Sequence, residues 1–500
     1  MILEVSGKQD YIFSAKRLRE NAARSAEIAH VTGSAFFREA AGDAYSEEEN
    51  LVYSGGGHTV LQFPEGEAAT AFARRVSEAS LRRYPGMELF IRQLPYDEQA
   101  SPADNLTALI RALERKKALR RGSFDRRSLG VEAPEGAALR SLPAGTRAEG
   151  PSLPPPAEPP EGWAFPNAFD ELSGKDNFIA VVHIDGNAMG ARADRLYRAR
   201  GDGGWEGFRR SAARFSAGID RDFRDAFRET AAEAAAQREL WEGLELAEGL
   251  LPLRPVILAG DDVCFVTAGS LGLSCARTFL GKLKSRRNEE DGEAYAACAG
   301  VAVVHQKYPF HAACELAEAL CASAKRFGAR MDPAGRVSAM DWHLEFGQLK
   351  DDLDEIRADY ATEDGRRLEL RPVLVSAPEG VDTSAAGGVR TWAYFRSLCS
   401  AMRGEYGHIA RSKIKSLREA LKQGATESRF FLHDKGVADF LRHCFDAEHG
   451  EAAVEEAFRQ LREGGIRREA FRELDGVSRC LLFDAIEMID HCLFLKEAER

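Results

Sequence analysis

A chain of 500 residues exceeds what one ordinary hydrophobic core supports, so roughly two to four domains are expected. Its 44% hydrophobic and 29% charged residues exclude a disordered chain. A net charge of −11 excludes a surface that grips nucleic-acid backbone throughout, so an anionic substrate would need metal ions or a local cluster of Lys and Arg.

In chain order, MILEV reads as a strand and Ser14–Ile28 as a helix. LVYSGGGHTVLQF reads as a glycine-tipped hairpin, Glu67–Arg83 as a helix and MELFIRQL as a strand. Ser101–Arg121 is a further helix, and the basic stretch Leu109–Arg127 is either a solvated face or a contact for RNA or a partner. From Leu142 to Pro166 the proline density excludes helix and central strand, predicting an extended, solvated linker. Beyond it FIAVVHI is a strand, and Trp205–Glu239 a long helix with an exposed, charged pattern. PVILAGDDVCFVT is a hairpin, Leu271–Arg287 a helix, ACAGVAVV a strand and His311–Phe327 an amphipathic helix.

Both halves therefore follow β-α-β-β-α-β, the ferredoxin-like order. The expected fold is α+β, with one such domain over residues 1–141, a linker over 142–166 and a second domain over 167–350. Residues 351–500 are mostly helical by period, clearest at Arg390–Met402, Ile409–Lys422 and Glu451–Arg462, which predicts a C-terminal helical bundle. Nine cysteines without a C-x-x-C pair read as reduced, buried thiols. No apolar run is long enough for a bilayer and no leader pattern opens the chain, so a cytoplasmic protein without a membrane partner is expected.

The chemistry concentrates in the second half. FIAVVHIDGNAMG ends a buried strand on Asp185, and Asp261-Asp262 tip the hairpin that such a sheet sets beside it. Converging carboxylates are what hard divalent cations require, and two ions about 3.5–4 Å apart activate an attacking hydroxyl and stabilise leaving pyrophosphate. G-D-D alone is an ordinary hairpin turn; the acid after the apolar strand is what lifts it. In SAKRFG, Lys325 and Arg326 are candidates to meet a triphosphate, although a lysine near a helix end also suits the dipole. His58, His183, His305 and His311 show no metal-ligand spacing as a set.

The set HIDGNAMG, LAGDDVCF, CAGVAVVHQKYPF and ALCASAKRFG resembles the second palm of the large signalling subunit of type III CRISPR effector complexes. That family is similar in turn to GGDEF diguanylate cyclases and class III nucleotide cyclases. SGKQDYIFSAKRLRENAARSAEI with YSGGGHTVLQF resembles the family's first, degenerate palm, so the resemblance spans residues 1–345. It implies two facing palms with nucleotide between them and synthesis of a cyclic oligoadenylate messenger from ATP, in prokaryotic antiviral defence. By this resemblance Asp185, Asp261 and Asp262 hold two Mg2+ or Mn2+ ions, and Lys325 contacts the triphosphate. Gly55, Gly56 and Gly57 let backbone approach the second nucleotide, and Asn187, Gly260 and Arg326 join the nucleotide contacts. The implied partners are ATP, the other subunits and guide or target RNA of an RNA-guided complex, and a downstream cyclic-nucleotide-sensing effector.

Three departures qualify the match. Ala259 stands where the family has the first glycine of G-G-D-D, and Asn187 where it often has a second acid. The chain shows neither an N-terminal H-D nuclease segment nor the paired cysteines of a zinc insertion, so DNA cleavage is not implied and a trimmed or standalone relative is. Two other readings stay open: a GTP- or ATP-using mono- or dinucleotide cyclase, and a non-catalytic structural subunit that keeps G-D-D for folding.

Overall fold

The structure, a computed structural model, describes residues 1–119, 132–135, 140–143, 153, 155–199, 204–347, 350, 352–403, 409–434, 437, 459 and 470–496, apart from positions 14, 16 and 85. The described residues form an α+β fold. Its first unit runs β1 (Ile2–Ser6), α1 (Lys8–Phe13), α2 (Leu18–Val31), α3 (Ser34–Ala41), α4 (Glu47–Asn50), β2 (Leu51–Gly55), β3 (His58–Leu61), α5 (Gly66–Arg83), β4 (Glu88–Arg92) and α6 (Pro102–Ala118). The four strands form an antiparallel sheet in the order β2-β3-β1-β4. A hairpin of β5 (Glu132–Glu135) and β6 (Arg140–Pro143) follows.

The second unit runs α7 (Phe169–Ser173), β7 (Phe178–Gly186), α8 (Met189–Ala199), α9 (Gly204–Ala236), α10 (Arg238–Trp241), β8 (Leu253–Ala259), β9 (Asp262–Ala268), α11 (Gly272–Lys284), β10 (Ala297–His305), α12 (Phe310–Met331) and β11 (Ser338–Leu344). Its sheet begins β8-β9-β7-β10, the same order as in the first unit, and continues through β11. Beyond α13 (Leu353–Ala358), β12 (Val373–Ser376) pairs with β11 and closes a six-stranded sheet. β7 and β10 sit inside this sheet, which is why both read as near-continuous apolar runs. Where α12 crosses β10 there is no room for a side chain: a Cβ on Gly300 would lie 1.9 Å from Ala317 O and 2.3 Å from Cys321 N. That glycine lets α12 lie directly on the sheet.

Helix α9 is 33 residues long, about 50 Å. The sequence suggests an exposed, charged helix, but Phe208, Ala212, Phe215, Ile219, Phe223 and Phe227 form one buried stripe at helical spacing. Each fully buried ring contributes roughly 1.5–3 kcal/mol. Most of the charges occupy the remaining faces, Asp222 being buried. The residues before Pro166 also differ from a solvated linker: Ala157 and Phe165 are buried, Ala164 bridges Leu250, and Pro156 O accepts from Arg224 Nη1 at 2.7 Å.

After α13 the described residues are not all helical. They include α14 (Trp392–Arg403), α15 (Arg411–Lys422), α16 (Ala425–Asp434), a hairpin of β13 (Phe471–Leu474) and β14 (Val477–Cys480), and α17 (Phe483–Met488). The expected helix Glu451–Arg462 lies outside the described residues save Arg459, as do residues 120–127 of the basic stretch. Buried Arg371 ties this region together through Asp484 Oδ1 (3.0 Å) and Glu487 Oε2 (2.7 Å). No helix among the described residues is long and apolar enough to cross a membrane.

Candidate active site

Asp185 lies at the end of β7 and pairs directly with Asp262, the first residue of β9. Asp261 occupies the turn between β8 and β9, where its carbonyl accepts from Gly186 N at 3.1 Å. A Cβ on Gly186 would come within 3.1 Å of Asp261 Oδ2, so the bare backbone there makes room for that carboxylate. Lys325 reaches across from α12: its Nζ is 2.6 Å from Asp185 Oδ2 and donates to Gly186 O at 2.9 Å. The helix continues six residues further, to Met331, so Lys325 is not the end cation that its sequence position suggested.

Burial and the neighbouring acids raise the proton affinity of Asp261 and Asp262. Burial, and then the charge of Asp185, push the Asp261 carboxyl up to about 6. Asp262 is raised by burial too, against the pull of His183, whose Nδ1 is 3.8 Å from Asp262 Oδ1. That Oδ1 is inaccessible and has no hydrogen-bond partner. A further acid escaped the sequence reading: burial, and then the charge of Asp262, push Glu318 on α12 up to about 7. Among the described residues no group of three or more His, Cys, Asp or Glu side chains is arranged to hold a metal ion as it stands.

The first unit faces these acids. Between the units lies a cavity of about 620 Å³, lined by residues of both and by Asp262. The two hairpin tips meet at its edge. Gly56 (φ +59°) and Gly260 (φ +66°) both adopt the left-handed conformation, and a Cβ on Gly260 would lie 3.7 Å from Gly56 N. Lys8 on α1 donates to Gly56 O and faces Asp262, and burial lowers its pKa. Its neighbour Gln9 donates through Nε2 to Glu318 Oε1. Lys117 and Arg224 add two more cations to the lining.

Helix α9 fixes both tips. Ser216 Oγ donates to Ser54 O at 2.9 Å, Asp220 Oδ1 accepts from Gly260 N at 3.2 Å, and Arg224 Nη2 donates to Leu258 O at 2.8 Å. Of the expected nucleotide contacts, Gly56 and Gly57 line the cavity, whereas Gly55 packs against Ser216. Asn187 is buried away from the lining, and its Nδ2 donates to Val337 O at 2.7 Å. Arg326 is exposed, one helix position round from Lys325, so the two do not share a face.

Two sheets of one strand order, joined by a shared helix and flanking a cavity with acids on one side, define the architecture. No protein-family model matches the chain, and no curated protein does. Solved structures do. The fold is similar to a Csm1–Csm4 cassette in complex with cA4, at TM-score 0.53 and 13% identity, over 98% of this chain and 69% of that one. A Csm1–Csm4 cassette with one ATP matches at TM-score 0.53 and 14% identity, with the same two coverages. The Csm1–Csm4 subcomplex of the type III-A CRISPR-Csm interference complex matches at 0.50 and 15%, again over 98% and 69%. At such identities the likeness is one of fold.

Proposed function

We propose that this chain is a two-palm nucleotidyltransferase that joins ATP into a cyclic oligoadenylate, as the large subunit, or a standalone relative, of a type III CRISPR system. In this reading residues 1–141 form the first palm, 142–166 the linker, 167–350 the catalytic palm and 351–500 an accessory domain that lends β12 to the palm's sheet. The observation that carries it is the meeting of two glycine tips beside one cavity, with carboxylates on only one of them. That the similar cassettes were solved with ATP and with cA4 supports a nucleotide ligand.

The residues fit a hard divalent cation: every candidate donor is a carboxylate oxygen, and Asp262 Oδ1 is buried with no hydrogen-bond partner among the described residues. Two Mg2+ or Mn2+ ions on Asp185, Asp261 and Asp262 would supply activation of the attacking hydroxyl and neutralise the departing pyrophosphate. The chain's own cations do the positioning. Lys325, next to Asp185, turns to the triphosphate of the donor nucleotide, and Lys8 and Lys117 draw the acceptor into the cavity. Gly56 and Gly57 allow its phosphates to approach the first palm's backbone. Reaction forms one ribose-oxygen–phosphorus bond and breaks the α–β phosphoanhydride for each nucleotide joined.

The test is incubation of the purified chain with labelled ATP or GTP and Mn2+, with products resolved by chromatography and mass. Cyclic products from ATP alone are expected. Cyclic mono- or dinucleotides from GTP would replace this reading with a GGDEF-like one. The Lys325–Asp185 ion pair favours a second reading, a structural subunit whose acids are neutralised for folding. No product from either nucleotide, in a chain that still binds ATP, would select it.

A further inference from the structure

A second cavity, of about 700 Å³, opens at the end of the large sheet where β10 and β11 begin. It shares no lining residue with the cavity between the units. Four cations line it, Arg195, Lys284, Arg287 and Arg336, against one acid, Glu293. Arg195 holds both oxygens of Glu293 at 3.0 Å, and neighbouring Asp332 is bound by Arg336 at 2.9 and 3.2 Å. Lys284 and Arg287 are exposed, and Arg287 makes one long bond, 3.4 Å to Gly292 O.

A charged helix face is ordinarily just solvated, and Lys284 suits the C-terminus of α11. These four cations, however, come from α8, the end of α11, the loop after it and the turn before β11, and they surround a concavity. Arg195 and Arg336 already hold carboxylates, so the charge left over is that of Lys284 and Arg287, which on a chain of net charge −11 complements an anion. The aromatic residue in the lining, Tyr295, is buried, and its hydroxyl donates to Asp222 Oδ2 at 2.8 Å. Among the described residues of the lining no ring is therefore presented for a base to stack on, which leaves the phosphates as the recognised part.

We propose that this groove binds the phosphodiester backbone of a single-stranded oligonucleotide, without reading its sequence. The turn that supplies Arg336 also packs on the catalytic strand's exit: a Cβ on Gly335 would lie 3.0 Å from Ala188 Cβ. A strand seated in the groove therefore abuts the turn that follows Asp185.

The experiment is fluorescence anisotropy of a labelled oligonucleotide of about 12 nucleotides with the full chain, at salt from about 50 to 200 mM. Lys284→Glu with Arg287→Glu should weaken binding at least tenfold at the lower salt. It should also reduce the slope of log affinity against log salt by about 1–2. Two sequences, as RNA and as DNA, should bind alike, and product formation from ATP and the melting temperature should be unchanged. Lys284→Ala and Arg287→Ala singly should each give part of the loss, which keeps the test valid if the double reversal unfolds. Undiminished affinity in a folded variant overturns the proposal. So does loss only in Lys8→Met with Lys117→Met, which would put the strand between the units. Pyrophosphate competing as tightly as the strand would make the groove a site for free phosphate and overturn it as well. The assay needs no turnover, so a failed cyclase reading leaves it intact.

Discussion

The β2–β3 and β8–β9 hairpins occupy the same place in the same strand order, and both turn on a glycine in the left-handed conformation. Only the second carries carboxylates. At the first tip the polar content is a carbonyl, Gly56 O, held by Lys8; at the second it is Asp261 and Asp262, beside Asp185. One scaffold thus presents two surfaces of opposite character to a common space. A cationic, backbone-lined tip suits an acceptor nucleotide, and an acidic tip suits metal-assisted chemistry. The two units differ in their turn residues and not in their strand order.

The strongest way to break the comparison is to remove charge from the second tip. Asp261→Asn with Asp262→Asn should lower product formation by about a thousandfold or more, comparable with loss of other transition-state electrostatics. The melting temperature should not fall, because these acids are pushed toward protonation in the folded chain and repel one another. A double variant with wild-type turnover refutes the site assignment.

Next comes the first tip. Gly56→Val places a branched side chain where φ is +59° and Ala259 O is 4.0 Å away. Product should fall about a hundredfold through misplacement of the acceptor. Calorimetry with a nonhydrolysable ATP analogue should show two bound nucleotides in the wild type and one in the variant. Unchanged stoichiometry and yield in a folded variant would make the tip a mere turn.

Lys325→Met should cost about tenfold, mostly in KM for ATP, while Mn2+ binds more tightly because Asp185 loses its ammonium partner. Weaker Mn2+ binding would show that the lysine shapes the acids and does not compete for them.

The smallest effect is on stability. Asp261 titrates at about 6 in the folded chain against 3.8 ordinarily, so the folded state holds the extra proton between those values. Stability should therefore fall as pH rises through 6, by about one or two degrees of melting temperature. Asp261→Asn should flatten that slope, and Mn2+ should raise the melting temperature more at pH 7.5 than at pH 5. A slope unchanged in the variant would assign the titration elsewhere, with Glu318 the first alternative.

Much of this was legible in the sequence, for reasons of range. Strands β7 and β10, the G-D-D tip and α12 are local patterns of hydrophobicity and turn chemistry, and they form where the periodicity places them. Lys8, Gln9 and Glu318 were not legible, because their importance arises where α1 meets α12 across some 300 residues of chain. The same holds for Ser216, Asp220 and Arg224, which read as solvated charge and polarity until α9 is laid across both hairpins. Asn187 looked like a nucleotide contact from its place after Asp185, yet it is buried away from the cavity lining and its Nδ2 donates to Val337 O. β12 and the β13–β14 hairpin are four-residue strands, too short for a period to register against the helical pattern around them.

The position of α9 bears on how such a protein can be rearranged by evolution or in the laboratory. It lies in sequence with the second unit, yet Arg209 and Ser216 bond backbone oxygens of β2 in the first. A fragment holding only residues 1–141 would leave Leu51 O and Ser54 O without those donors and bare the surface that α9 covers. The halves are therefore not interchangeable cassettes. A graft between relatives keeps the tips in register only if the strand β2 and the helix that clamps it come from the same parent.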